Sequence, residues 1–212
     1  MKIYPRESVP SASSASHFLP EPEVILWLFF VGFVMVEGME ILLIGYGNPL
    51  RGDDGVGWRV IEEIANRQSS IANRQRDNPQ STPHSALRTP QLIAVHQLLP
   101  ELAEPISETD LVIFVDASVE GEPGAIAVRA IEPEPPQIGA FTHHFDPAGL
   151  VGYARDLYGR FPRAYLVTVT AVSLGYGEGL SDTLEAALPD LLQQIGQLIQ
   201  KANRHDIGDN FP

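Results

Sequence analysis

The sequence predicts a three-layer α/β/α sandwich with a mostly parallel sheet. Five short apolar runs alternate with helix-like segments after residue 39. One of them, residues 111–115, is apolar at every position, as a central strand covered on both faces must be. Polar, acidic or glycine-rich residues follow the strands, where open α/β sheets build their sites.

The elements follow in order. Residues 41–44 form the first apolar run, a buried strand. Residues 45–54 are dense in Gly, Asn and Pro and read as a turn. Residues 56–64 carry helical spacing, with Val56, Val60 and Ile64 on one face. The apolar period then stops. Residues 66–90 are polar and hold a tandem copy, Ile64-Ala-Asn-Arg-Gln68 and Ile71-Ala-Asn-Arg-Gln75. This reads as a duplication inside a mobile surface insert rather than as a repeat architecture. Residues 92–95 are the second strand, 100–106 a short helical or turn segment, and 111–115 the third strand. Residues 125–130 are the fourth. Only residues 116–124 separate the third strand from the fourth, and a parallel crossover needs about a dozen residues or more. An antiparallel pair is therefore expected, turned by Gly121-Glu-Pro-Gly124. Residues 133–138 read as an extended linker. Asp146-Pro147 is a helix start, an N-cap followed by proline at the first helical position, and the helix runs to about Tyr158. Residues 165–170 are the last strand. Ser181 caps a C-terminal helix in which Pro189 marks a kink or restart.

The chain has 212 residues, enough for one domain with an appendage. At this length a domain buries roughly 70% of its unfolded surface. Cysteine is absent, which excludes disulfides, thiol nucleophiles, zinc knuckles and iron–sulfur ligation. A metal site must be built from His, Asp and Glu. Lys and Arg number 14 against 27 Asp and Glu, for a net charge of −13. That balance argues against nucleic acid and against anionic membrane surfaces as partners.

Residues 1–23 are rich in Ser, Pro and Glu, and residues 24–36 are apolar apart from Gly32. This apolar run is short of the about 20 residues that a spanning helix needs. Glu21 and Glu23 precede it, where a signal peptide would carry positive charge. Residues 1–38 are read as a disordered or spurious extension, with Met35 or Met39 as the working start. The domain then covers residues 39–205, and 206–212 form a flexible tail.

The strand ends collect the chemistry. After the first strand stand Asp53 and Asp54, after the second His96 and Gln97, after the third Asp116. His143 and His144 precede the helix at 146, and Ser173 and Glu178 follow the last strand. The glycine loop lacks the third Gly of a dinucleotide fingerprint, since Leu50 stands there. Two carboxylates at the helix start would also repel a phosphate. For Asp53 and Asp54 the plain role is helix capping, worth about 1 kcal/mol each, yet one acid suffices and the other is free to face a cleft. Asp116 follows five apolar residues, so its carboxylate is costly unless paired or liganded. His96 reads first as a packed residue, and His143 and His144 read equally as loop histidines. Two carboxylates and an imidazole nevertheless make half of a divalent-metal site, with positions left for a substrate.

These residues resemble a known family. Ile44-Gly-Tyr-Gly-Asn-Pro-Leu-Arg-Gly-Asp-Asp-Gly-Val-Gly57 is similar to the opening motif of the [NiFe]-hydrogenase maturation endopeptidases. His96-Gln-Leu-Leu-Pro-Glu-Leu-Ala103, Val112-Ile-Phe-Val-Asp-Ala117, His143 and Gly177-Glu-Gly-Leu-Ser181 continue the likeness over residues 40–200, outside the insert. The resemblance implies a five-stranded sheet with one antiparallel strand. It implies a hydrolase of the cytoplasm that cuts the C-terminal extension from a hydrogenase large-subunit precursor once nickel is installed. It assigns the catalytic, metal-contacting positions to Asp54, Asp116 and His143, with adjacent His144 as the alternative. Nickel is then carried by the substrate, and no cofactor of the protein's own is expected. The segment around His96 looks most like members that serve bidirectional hydrogenases. No Ser–His–acid set, thiol or H-E-x-x-H helix is present, so water is activated either by the metal or by a carboxylate base. A non-proteolytic nickel-sensing chaperone of the large subunit would use the same three residues and remains the alternative.

Overall fold

The computed structural model describes residues 36–77, 87–135 and 145–208. Its strands are β1 (Val36–Glu37), β2 (Ile41–Tyr46), β3 (Leu87–Arg88), β4 (Gln91–Val95), β5 (Leu111–Ser118), β6 (Ile126–Ile131) and β7 (Arg163–Thr170). Its helices are α1 (Val56–Asp77), α2 (Ala103–Ser107), α3 (Pro147–Tyr158) and α4 (Asp182–Gly208). The main sheet has the order β4-β2-β5-β7-β6, parallel except for β6.

Strand alternation builds the layers. β2 turns Ile41 and Leu43 to one face and Leu42 and Ile44 to the other. β5 does the same with Ile113 and Val115 against Val112 and Phe114. The first face is closed by Val56, Val60 and Ile64 of α1 and by Leu184, Leu188 and Leu191 of α4. The second is closed by Ala103 and Ile106 of α2 and by Leu150, Val151 and Ala154 of α3. Burial on both faces is why the strand sequences are apolar throughout, and the result is the α/β/α sandwich expected.

The predicted caps are present. Asp146 Oδ1 accepts from the Gly149 amide at 2.7 Å, Pro147 opens α3, and Gly159 closes it in the left-handed region at φ 68°. Ser181 Oγ accepts from the Leu184 amide at the start of α4. Pro189 lies inside α4, which continues through it to Gly208 and so into the expected tail. Residues 209–212 fall outside the described residues, as do 1–35 of the extension. The last residues before Met39 are described: β1 pairs antiparallel with β3 at the end of the insert.

Two expectations change. The strand at 126–131 is antiparallel, but its partner is β7 and not β5. β5 is already flanked by β2 and β7, and the 119–125 turn passes over the end of β7, where the Gly124 amide donates to Thr170 O at 2.8 Å. The mostly exposed β6 takes the sheet edge, and the well-buried β7 takes the interior. The insert is also not irregular throughout. α1 runs past Ile64 and through both copies of the duplicated heptapeptide to Asp77. Seven residues are close to two helical turns, so the duplication preserves helix phase. Gln68 Nε2 ties this extension back to Pro90 O at 3.0 Å. Residues 78–86 lie outside the described residues.

α1 sits close on the sheet because Gly57 has no side chain. A Cβ there would stand 2.6–2.7 Å from the backbone of Tyr46 and from Val115 O. None of these atoms is a movable side-chain end. Gly57→Ala is expected to destabilise the protein by about 3 kcal/mol, roughly 6–12 °C in Tm. Thermal unfolding followed by circular dichroism checks it, and an unchanged transition contradicts the packing described.

Candidate functional site

The sheet order places a switch at β2 and β5: the chain leaves β2 for β4 on one side and returns to β5 on the other. Open α/β sheets form their crevice outside such strand ends. Here the ends carry Tyr46 and Asp116, with the 47–55 loop above them.

That loop is fixed in detail. Gly47 adopts φ 124°, and a Cβ on it would collide with Asp54 O. Trp58 Nε1 donates to both Gly47 O and Val95 O at 3.0 Å, fastening the loop to β4. On its other flank the loop is laced to the segment that precedes α4. The Gly52 amide donates to Gly177 O at 2.8 Å, the Gly177 amide to Leu50 O at 3.1 Å, and Arg51 Nε to Leu174 O at 3.2 Å.

The two neighbouring acids have different work. Asp53 is buried, with 1% exposure. Its Oδ1 accepts from the Ser181 amide at 2.7 Å. Its Oδ2 accepts from the Val172 amide at 2.8 Å, the Ser173 amide at 3.3 Å and Ser181 Oγ at 3.0 Å. Burial pushes its pKa up, but these donors outweigh burial and leave it below the ordinary carboxylate value. Asp53 is therefore an anchor for the 172–181 segment. Asp54 is half-buried, and its Oδ2 accepts from the Asn48 amide at 3.1 Å. Asp53, expected as a helix cap, instead grips a distant segment and not its own helix.

Asp116 ends the buried part of β5. Its Oδ1 accepts from the Ala117 amide at 2.8 Å, and Tyr46 stands beside it on the neighbouring strand. Burial pushes the Asp116 pKa up to about 6. The Tyr46 hydroxyl and the Ala117 amide oppose the rise, and the negative charge of Asp54 adds to it. Asp54 and Asp116 thus share one rim. Burial and the adjacent Asp116 hold the Tyr46 phenol above its ordinary value, so it stays a donor.

His96 is exposed, its ring 5.1 Å from Trp58 and tilted by 44°. It packs on an aromatic face, the plainer of its expected roles. Ser173 Oγ accepts from the Gly175 amide at 3.1 Å, and Glu178 is exposed. His143 and His144 lie outside the described residues. Among the described residues, no three His, Asp or Glu side chains form a group able to hold a metal ion. Sequence reasoning missed Tyr46 and Trp58, and the bond from Ser181 to Asp53. The signals were present: a tyrosine at a strand end level with an acid, and a tryptophan directly after a packed glycine.

No protein-family model and no curated protein matches the chain. Solved structures do. Hydrogenase maturating endopeptidase HybD from E. coli superposes with a TM-score of 0.55 at 25% identity, over 77% of this chain and 94% of that one. An endopeptidase from Escherichia coli, solved in solution, gives 0.55 at 24% identity over the same shares. [NiFe] hydrogenase maturation protease HybD from Thermococcus kodakarensis gives 0.50 at 16% identity, over 76% of this chain and 99% of that one, and supports the fold alone. The sheet order, the glycine-packed acidic loop above β2 and the acid ending β5 sit on that shared frame. The chain is similar in fold, and over most of its length in sequence, to the hydrogenase maturating endopeptidase HybD.

Proposed function

We propose that the protein removes the C-terminal extension of a nickel-loaded [NiFe]-hydrogenase large-subunit precursor and reads the bound nickel as its signal. The observation that carries this reading is the shared rim of Asp54 and Asp116 at the switch between β2 and β5. Two carboxylates and the imidazole of His143 complete the coordination of a nickel ion brought by the substrate. His143 stands two residues before Phe145, whose amide donates to Leu98 O. His144 is the adjacent alternative. Anchoring the metal places the scissile bond at the rim, where metal or carboxylate activates water. The nickel belongs to the substrate, so the protein needs no cofactor of its own.

The partner in this reading is the precursor, in the cytoplasm, and the segment at His96 favours a bidirectional hydrogenase as client. No helix among the described residues is long and apolar enough to cross a membrane. The test is incubation of the purified protein with the precursor, with and without nickel. Nickel-dependent release of a C-terminal peptide, seen as a gel mobility shift, is the expected result. Stable binding of nickel-loaded precursor without any cut assigns the chaperone role instead.

A further inference from the structure

We propose that Tyr46 is a positioning residue, whose hydroxyl fixes the orientation of the Asp116 carboxylate and so selects the oxygen that Asp116 offers to the substrate. This rests on the proposed function above. β2 and β5 run parallel with Gly45 level with Val115, so Tyr46 and Asp116 stand side by side one step further on. Both continue the alternation of Ile44 and Phe114 and point to the same face of the sheet. The Tyr46 ring packs on the core of that face, which fixes the hydroxyl at the top of the layer. A carboxylate at a strand end rotates broadly about its last torsion. Here the Ala117 amide holds Oδ1, and the Tyr46 side chain, level with Asp116 on the same face, brings its hydroxyl to the carboxylate as the second donor this proposal assigns. An apolar residue would serve the packing equally well, and only the phenol serves the carboxylate.

The hydroxyl and the ring separate in two variants of the full chain. Tyr46→Phe keeps the ring, and Tyr46→Leu removes both. With nickel-loaded precursor, Tyr46→Phe is expected to keep the wild-type Tm and KM and to lose about 10- to 100-fold in kcat. Tyr46→Leu loses kcat to the same extent and also unfolds at lower temperature. A kcat for Tyr46→Phe within about twofold of wild type overturns the proposal, as does a rise in KM with kcat unchanged. The carboxyl-carbon NMR signal of Asp116 gives a readout that needs no cleavage. It is expected to shift in Tyr46→Phe, and an unmoved signal overturns the proposal even if the wild type proves not to cut the precursor. Failure of the wild type to cut, with a shifted signal in Tyr46→Phe, sinks the proposed function and leaves the orientation of Asp116 by Tyr46 standing.

Discussion

Asp116→Asn is expected to stop cleavage of nickel-loaded precursor, with kcat/KM down about 1,000-fold or more, roughly 4 kcal/mol of transition-state stabilisation. Asp54→Asn is expected to do the same. Neither change should unfold the protein. Asp54 accepts one amide bond, from Asn48, which an asparagine oxygen accepts as well. Asp116 accepts from the Ala117 amide, a bond that an asparagine oxygen accepts as well. Removing the charge at 116 even relieves the fold, because that carboxylate is desolvated and lies near a like charge. The Tm of Asp116→Asn at neutral pH should equal or exceed that of the wild type, the pattern of a residue kept for chemistry at a cost in stability. Cleavage at the wild-type rate by either variant would remove these carboxylates from the site.

Most of the frame was legible because local rules decide it. Fully apolar runs identify β2 and β5 as interior strands, and Asp146-Pro147 with Gly159 brackets α3. The departures all concern choices that local rules leave open. A nine-residue connection forbids a parallel return from 115 to 125, yet it does not say which strand receives the returning one. That depends on β7, which arrives some forty residues later. The duplicated heptapeptide looked irregular because its residues are polar, but phase and not polarity decides whether a helix continues. The site divides likewise. The strand-end acids followed from topology, and Asp116 was marked by the cost of a carboxylate after five apolar residues. The partner of Asp53 was not legible, because Val172 and Ser181 are more than a hundred residues away along the chain. Nor was the pairing of Tyr46 with Asp116, which needs the register of two parallel strands.

The same long-range contact makes Asp53 the strongest structural prediction. Its two oxygens accept four bonds, three of them from backbone amides, in a site with almost no access to water. Asparagine has one acceptor oxygen and a donor NH2. Whichever way it turns, an N–H is forced against an N–H, either at Ser181 or at Val172 and Ser173. Asp53→Asn is therefore expected to cost about 3–5 kcal/mol, from lost charge-assisted bonds and an unsatisfied buried donor. Chemical denaturation measures it, and a loss under about 1 kcal/mol would contradict the anchoring role. Activity should fall too, although Asp53 touches no substrate. Ser181 and residues 172–173 hold the segment whose Gly177 is laced to Leu50 and Gly52, and this lacing fixes the loop that carries Asp54. Amide exchange should accordingly rise at Gly52 and Gly177 in Asp53→Asn and stay at wild-type levels in Asp54→Asn. One acid of the pair thus holds in place the loop that carries the other.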